Sequence, residues 1–337
     1  MSIPRSGVAR SSLATAAVTT LTATLLTAGS PGTAAAKEIT CDDTPGRFDF
    51  YPGPSASATY DTFFARSHHI PNLDTYIPQG TATWSNWDGD GQDLILITGY
   101  HKPDNPDSLI SAIDAKTGRY VGSAFIDHSH VGGIAIFEKK GWAYVSGSAD
   151  LAVRKYSLAD LKAAIKAPTN QGKKVTPKGK DQIVYGNSFL TSHGPSNTLW
   201  AGKFNDFIRD YMRSYTVADN GDLTERPGTW QVPTKTQGLV VTEDLFIYST
   251  SLGRDNPSNI YVVRRGDGSS DLDTARLYCF RAPTMSEGLT VYGKDLYAAF
   301  ESGAYYYNQG SDKPRNVIRN LHKTRLGVDS LKTLPPR

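Results

Sequence analysis

Five polar residues recur along this chain at a spacing of about fifty residues, and their side chains could bind a ligand or an ion. They are Gln79, His130, Asn187, Gln237 and Glu287. Amide oxygens and a carboxylate are groups that Ca²⁺ prefers, and with an imidazole they can also hydrogen-bond a small polar molecule. The same groups could instead satisfy one another and channel waters. Either role requires a fold that gathers distant stretches of chain at one place.

A second group of oxygen-bearing side chains lies within one short segment. Asn86, Asp88, Asp90 and Asp93 alternate with other residues, and Gly91 stands where a calcium-binding loop turns sharply. The segment resembles the cation loops of integrin-type propeller repeats, but its last acid comes one position early. The alternatives are a bound Ca²⁺ and a plain β-turn whose polar side chains bond to the backbone.

The remaining candidates for catalysis form no recognisable catalytic motif. His128 and His130 share one face of an extended segment and could both reach a metal ion, although such pairs are often ordinary polar residues. There is no nucleophile elbow, no H-E-x-x-H and no phosphate-binding glycine loop. The catalytic residues therefore stay unknown, and the sequence favours a protein that is not an enzyme.

The elements that would position these side chains come from a repeat. Gly80, Gly133, Gly238 and Gly288 each open an apolar segment, and Ser188 takes the corresponding place in a degenerate copy. Several strand-type segments separated by turn residues follow each of them, which is typical of a β-propeller. We predict an all-β, single closed propeller of five to six four-stranded blades. Its blade starts would place the five polar residues at one channel mouth.

Domain boundaries follow from the same repeat. Residues 77–337 form the propeller repeats, and residues 37–76 form an N-terminal arm or a partial sixth blade. In the fifth repeat we predict four strands, at 289–291, 296–300, 304–307 and 317–321. An insertion at 158–186 begins with a short helix and continues into a lysine-rich loop.

The pattern of the first residues indicates a signal peptide. Arg5 and Arg10 precede an apolar stretch, and Ala34-Ala-Ala36 is a cleavage signal, which predicts a signal peptide over 1–36 and a secreted, extracellular protein. No later run is long and apolar enough for a membrane span. Removal of residues 1–36 takes away two arginines and no acids, so the formal net charge falls from +3 to +1, and a near-neutral surface argues against nucleic acid as a partner.

Both cysteines, Cys41 and Cys279, lie after the predicted cleavage site. An oxidising compartment favours a disulfide bond between them, the alternative being two buried thiols. Such a bond would tie the N-terminal arm to a strand near the end of the chain.

Short motifs in the repeats carry a family resemblance. The chain resembles exported actinomycete β-propeller proteins, and more distantly proteins of the dispase autolysis-inducing protein type. The segments that carry the resemblance are His130-Val-Gly-Gly-Ile-Ala135, Phe280-Arg-Ala-Pro283 and Ser286-Glu-Gly-Leu-Thr290. That resemblance implies a non-enzymatic binding protein whose partners are extracellular proteins, such as proteases or transglutaminase, or the cell wall.

A weaker similarity is to SMP-30 and lactonase-type propellers. It implies a Ca²⁺-dependent hydrolase with Glu287 and Asn187 at a metal ion on the propeller axis. The other metal ligands of that family are not all found here. The binding protein is therefore the first interpretation and the hydrolase is the alternative.

Overall fold

A computed structural model describes Ile39, Cys41 and residues 57–102, 107–167 and 173–336. The predicted signal peptide, 1–36, lies outside the described residues. Within them, twenty-two strands form five separate sheets, and nearly all neighbouring strands are antiparallel.

The first sheet contains the most continuous apolar strands of the chain. Its strands are β2 (Tyr76–Trp84), β3 (Leu94–His101), β4 (Ser108–Asp114) and β5 (Tyr120–Ile126), with β9 (Lys174–Val175) added in parallel at the outer edge. All but the last residue of β3 are buried. Because a blade is covered on both faces by its neighbours, its central strands need apolar residues at successive positions.

The second sheet includes the predicted insertion. Its strands are β6 (Ile134–Phe137), β7 (Trp142–Ser146), β8 (Ala152–Ser157) and β10 (Gln182–Ile183). The insertion begins with the helix α2 (Leu158–Ile165), as predicted from the sequence. The helix packs beside β5 and β8, so the insertion bridges the first two sheets.

The third and fourth sheets follow the same plan. The third comprises β11 (Phe189–His193), β12 (Thr198–Gly202), β13 (Asp210–Val217), β14 (Leu223–Glu225) and β15 (Trp230–Val232). The fourth comprises β16 (Thr236–Val241), β17 (Leu245–Thr250), β18 (Ser258–Arg264) and β19 (Leu277–Ala282).

The fifth sheet is built from both ends of the chain. Its order from the inside is β20 (Ser286–Tyr292), β21 (Asp295–Phe300), β22 (Asn320–Thr324) and β1 (Phe64–His69). The helix α1 (Ala58–Phe63) leads into β1, and Ser57 caps it by accepting a hydrogen bond from the Tyr60 amide at 3.0 Å.

Two strand predictions for the fifth repeat were wrong. Residues 305–307 lie in a 3₁₀ turn, Tyr305–Asn308, which Ala304 precedes. The strand predicted at 317–321 runs instead over Asn320–Thr324 and is the third strand. The fourth strand is β1, because pairing the N-terminal strand with β22 closes the ring with segments from both ends of the chain. The sheets number five, and the described part of the chain forms no sixth blade.

Contacts between the first strands of the sheets establish the circular order. The inner strand β2 touches β6, β6 touches β11, β11 touches β16, β16 touches β20, and β20 returns to β2. Five sheets in a closed ring, each with its first strand at the centre, constitute a five-bladed β-propeller. The predicted fold class is confirmed.

Glycines permit the close approach of the inner strands. A Cβ on Gly133 would stand 2.2 Å from the Leu190 amide nitrogen, and one on Gly80 would stand 2.9 Å from the Gly133 Cα atom. No ordinary side chain fits at these distances, so the repeating glycine is a packing requirement of the axis.

Apolar clusters fill the spaces between blades. Trp200 of the third blade packs on Phe246 of the fourth with ring centres 5.2 Å apart, and similar clusters join the other neighbours. A disulfide bond joins Cys41 to Cys279 on β19, which confirms the predicted pairing. The bond fixes the N-terminal arm to the fourth blade before the chain enters β1 of the fifth.

Candidate functional site

The propeller brings the five recurring polar residues to one end of its channel, here called the channel mouth. The mouth is the end at which the inner strands begin, and it holds Gln79, His130, Asn187, Gln237 and Glu287. Because neighbouring strands are antiparallel, the loops joining the second strand of a blade to the third emerge on the same face, here called the mouth face. The channel mouth therefore draws on two sets of loops.

A pair of carboxyl groups lies at the centre of the mouth. Glu287, at the start of β20, is 1 % exposed, and Glu301, directly after β21, is partly buried. The Ser251 hydroxyl donates to Glu287 Oε1 at 3.3 Å. The side-chain amide of Gln79, on the first blade, donates to Glu301 Oε1. Three blades thus supply this group.

Burial changes the protonation of both carboxyl groups. It raises the pKa of Glu301 to about 7, although the amide of Gln79 and the charge of Lys102 favour the carboxylate. Burial and the neighbouring Glu301 raise the pKa of Glu287 well above its usual range. Two carboxylates so close together in a medium of low dielectric cannot both ionise readily, so the pair retains a proton near neutral pH.

Two tyrosines border the carboxyl pair. The hydroxyl groups of Tyr100 and Tyr307 are 3.3 Å apart, and both lie close enough to Glu301 to stabilise its charged form. Burial raises the pKa of each phenol above its usual value, so both remain neutral donors. The ring of His130 packs on Tyr100 with the two centres 4.5 Å apart.

An open cavity of about 450 Å³ forms the other half of the mouth. Asn187, Gln237 and His130 line it, together with serines and glycines of the second blade. The Asn187 side-chain nitrogen donates to the carbonyl oxygens of Ala149 and Ala152 at 3.0 and 2.8 Å, so its amide group is fixed to the second blade. The ring of His130 connects this cavity to the carboxyl pair through Tyr100.

The backbone is strained where two blades enter the mouth. Lys235 and Met285 have positive φ angles of 65° and 59°, and each stands three residues before a blade glycine. Residues other than glycine adopt this conformation at a cost, and such positions are common at functional sites.

The predicted calcium loop is a turn held by its own side chains. Asn86 Oδ1 accepts from the Gly91 amide at 2.7 Å, and Asp88 Oδ1 accepts from the amides of Asp90 and Gln92 at 2.9 and 3.1 Å. Asp93 Oδ1 accepts from the Asn86 amide at 2.8 Å. These bonds explain the alternating polar residues as a turn, while Ca²⁺ binding there stays a prediction.

No dedicated metal centre is evident at the mouth or elsewhere in the described residues. Among them, no three His, Cys, Asp or Glu side chains are placed to hold one metal ion. Nor does any helix in this part of the chain have the length and apolarity needed to cross a membrane.

The sequence-based reasoning missed several residues of the mouth. They are Tyr100, Lys102, Ser251, Glu301 and Tyr307. Tyr100 lies near the end of a second strand, and Ser251 and Glu301 each follow one directly. Their positions are equivalent in the three blades, so the topology that selected the inner-strand starts could also have selected these positions.

Comparisons with known proteins give only distant likenesses in structure. No family model and no curated protein matches the chain. Hydrazine synthase from Kuenenia stuttgartiensis aligns at 11 % identity and a TM-score of 0.37, covering 70 % of this chain and 58 % of that one. The Cps50 (Swd1) β-propeller domain from Myceliophteria thermophila aligns at 11 % identity and a TM-score of 0.35, covering 71 % and 65 %.

A protein from Lactobacillus plantarum aligns at 13 % identity and a TM-score of 0.32, covering 62 % of this chain and 60 % of that one. The present chain spans about three fifths of the length of these proteins. At such TM-scores the likenesses carry no argument about function, and the assignment of the fold rests on the strand pairing described above.

Proposed function

We propose that this protein is a secreted, non-enzymatic binding protein that engages another extracellular protein through its mouth face. The five-bladed propeller is a scaffold that carries loops from every blade on that face. The observation that supports the proposal is the distribution of exposed apolar side chains over the described residues.

Most of these side chains lie on the mouth face. Phe207 is 86 % exposed and Ile208 is 64 % exposed, and both lie in the loop between β12 and β13 of the third blade. Five more occupy the equivalent loops of the second, fourth and fifth blades: Leu151, Leu252, Tyr305, Tyr306 and Val317. Ile183 and Tyr211 are also exposed, but they lie on the strands β10 and β13. Phe207 with Ile208, and Tyr305 with Tyr306, are neighbours in the chain, and contiguous exposed apolar side chains mark interaction sites on soluble proteins.

The opposite face carries fewer such residues. Tyr120 begins β5, and Leu326 follows β22, so both lie at the other end of the propeller. Aromatic residues are enriched at protein interfaces, and the mouth face presents Phe207, Tyr305 and Tyr306. This asymmetry supports a protein partner at the mouth.

Export is consistent with the disulfide bond, because such bonds persist in oxidising compartments. The resemblance of the repeats to exported actinomycete propellers makes extracellular proteases and transglutaminases the first partners to test. A cell-wall partner is the outcome to consider if neither binds.

Variants of the mouth face test the proposal. The exported chain, beginning at Lys37, is immobilised, and binding of a bacterial neutral metalloprotease and of a microbial transglutaminase is measured by biolayer interferometry. We expect Phe207→Ser with Ile208→Ser to weaken binding at least about tenfold, since a truncated apolar anchor costs more than about 1.4 kcal/mol.

The matched control is Leu326→Ser, which removes an apolar side chain that is 74 % exposed on the opposite face. It should bind as the parent chain does. Binding that is lost only in Leu326→Ser, or that is absent for both probe proteins, would overturn the proposal as stated.

A Ca²⁺-dependent hydrolase remains the second candidate, because Glu301 adds a carboxyl group beside Glu287. The Asn187 side-chain nitrogen donates to carbonyl oxygens of the second blade, and these bonds would orient its Oδ1, the atom that binds Ca²⁺ in such sites. Loss of a lactonase or esterase activity in Glu287→Gln, together with loss of stability in chelator, would favour the hydrolase.

A further inference from the structure

Neither carboxyl group at the channel mouth forms an ion pair with another of the described residues. Lys102 is a nearby cation, and its charge lowers the pKa of Glu301 without forming an ion pair. Burying a carboxyl group without a paired charge is unfavourable, and the pair compensates by holding a proton. A cation from outside the chain could take the place of that proton.

Aromatic rings surround the pair, and two of the chain's own cations already lie over them. The Lys102 ammonium group is 5.5 Å from the ring centres of Tyr100 and Tyr306. The Arg254 guanidinium group is 5.1 Å from the ring centre of Tyr307. These are cation–π distances, so the tyrosine rings at the mouth accommodate an ammonium and a guanidinium group of the chain itself.

We infer that the channel mouth receives a lysine or arginine side chain of the partner protein, whose charged end pairs with Glu301 above Glu287. The inference rests on the proposed function, and it names the chemistry of the residue that anchors the partner. Apolar loops of the mouth face contact the surface around that residue, and the tyrosine rings pack along its aliphatic stem.

The donor set fits an organic cation better than a metal ion. Ca²⁺ requires six to eight oxygen ligands, and no three acidic or histidine side chains in the described residues converge at one point. An ammonium group needs only about three acceptors, and an aromatic surface beside a carboxylate is a favourable site for it.

Binding should depend on pH, because the cation pairs with the ionised form of the carboxyl group. The proton leaves Glu301 as the ammonium binds, and it passes to solvent. The titratable and charged groups that face the pair or border it are Tyr100, Tyr306, Tyr307, His130, Lys102 and Arg254. The pKa of Glu301, about 7, sets the range in which binding should strengthen.

The direct test uses n-butylammonium chloride, which reproduces the end of a lysine side chain, and n-butanol as its neutral counterpart. Binding to the exported chain is measured by saturation-transfer difference NMR at constant ionic strength. We expect a signal from n-butylammonium that is at least about fivefold stronger at about pH 8 than at about pH 5.5. We expect n-butanol to give a weak signal that does not change with pH.

Variants localise the binding. Glu301→Gln should lose most of the n-butylammonium signal, and Glu287→Gln is the second variant should the first not fold. The matched control is Glu243→Gln, which changes a carboxylate on the fourth blade at the opposite end of the channel. Its signal should equal that of the parent chain.

Two results would overturn the inference: no pH-dependent signal from n-butylammonium with the folded parent chain, or an undiminished signal in Glu301→Gln. Neither result involves a partner protein. The inference can therefore fail while Phe207→Ser with Ile208→Ser still weakens partner binding. In the same way, the proposed function can fail while n-butylammonium still binds at the channel mouth.

Discussion

The side-chain amide of Gln79 on the first blade donates a hydrogen bond to the carboxyl group of Glu301 on the fifth, 222 residues later in the chain. The bond joins the two blades that meet where the ring closes. It also brings a residue of an inner-strand start together with a residue that follows a second strand. The channel mouth is therefore a product of ring closure and not of any local motif.

Stability should fall as the pH rises through the titration of the carboxyl pair. The folded-state pKa of Glu301 lies above its unfolded value, so the native state binds more protons between about pH 4.5 and pH 7. The loss at alkaline pH is at most roughly 3 kcal/mol for Glu301, from a shift of this size.

Glu301→Gln should therefore be more stable than the parent chain at pH 8 and not at pH 4.5, as measured by urea unfolding at both values. Glu243→Gln serves as the control for a change of carboxylate to amide. A parent chain whose advantage over Glu301→Gln grew with pH would show that the carboxyl group is paired with a cation in the free protein.

Blade packing at the axis should not tolerate a methyl group. Gly133→Ala places a Cβ against the backbone of Leu190, and we expect it to lose about 1–3 kcal/mol of unfolding free energy or to fail to fold. Gly194→Ala is the control, since no atom lies within 4 Å of its added Cβ. Equal stability of the two variants would contradict the close approach of β6 and β11.

The disulfide bond should contribute substantially to stability. Replacing Cys41 and Cys279 by alanine removes a link across 238 residues, which the chain-entropy model values at about 5 kcal/mol as an upper estimate. We expect a lower urea midpoint in the double variant and in the parent chain after reduction. An unchanged midpoint in both would show that the N-terminal arm does not hold the ring closed.

Two substitutions in the loop after β2 separate a turn from a calcium site. Asp88 accepts two backbone hydrogen bonds, so Asp88→Ala should lower the melting temperature more than Asp90→Ala does. Both effects should be the same with Ca²⁺ and with chelator. If Ca²⁺ raised the melting temperature of the parent chain and Asp90→Ala abolished that gain, the loop would be a calcium site.

The sequence predicted the β-propeller because the packing of the inner strands requires glycine at a regular spacing. Glycine recurs wherever an inner strand meets its neighbour, and Ser188 shows that the constraint tolerates one exception. The inner-strand starts follow directly from that repeat and place Gln79 and Glu287 at the mouth, whereas Glu301 lies after a second strand, which the repeat does not mark. The third strand of the fifth blade was missed because Tyr305 and Tyr306 suit a strand by residue type, whereas they lie in an exposed 3₁₀ turn.

Other features depend on long-range contacts that residue types alone do not reveal. Nothing in 64–69 marks that segment as the outer strand of the last blade, because its partner, β22, is more than 250 residues away in sequence. The carboxyl pair is equally hidden, since Glu287 and Glu301 belong to different strands and only the loop geometry brings them together.

Hydrogen–deuterium exchange of the chain beginning at Lys37, with whichever of the two probe proteins binds, tests the central claim most directly. The account predicts slower exchange in peptides that cover the mouth-face loops, 203–209 and 301–309, and no change around Tyr120 and Leu326. Protection confined to the opposite face, or no protection of the mouth-face loops in a saturated complex, would contradict it.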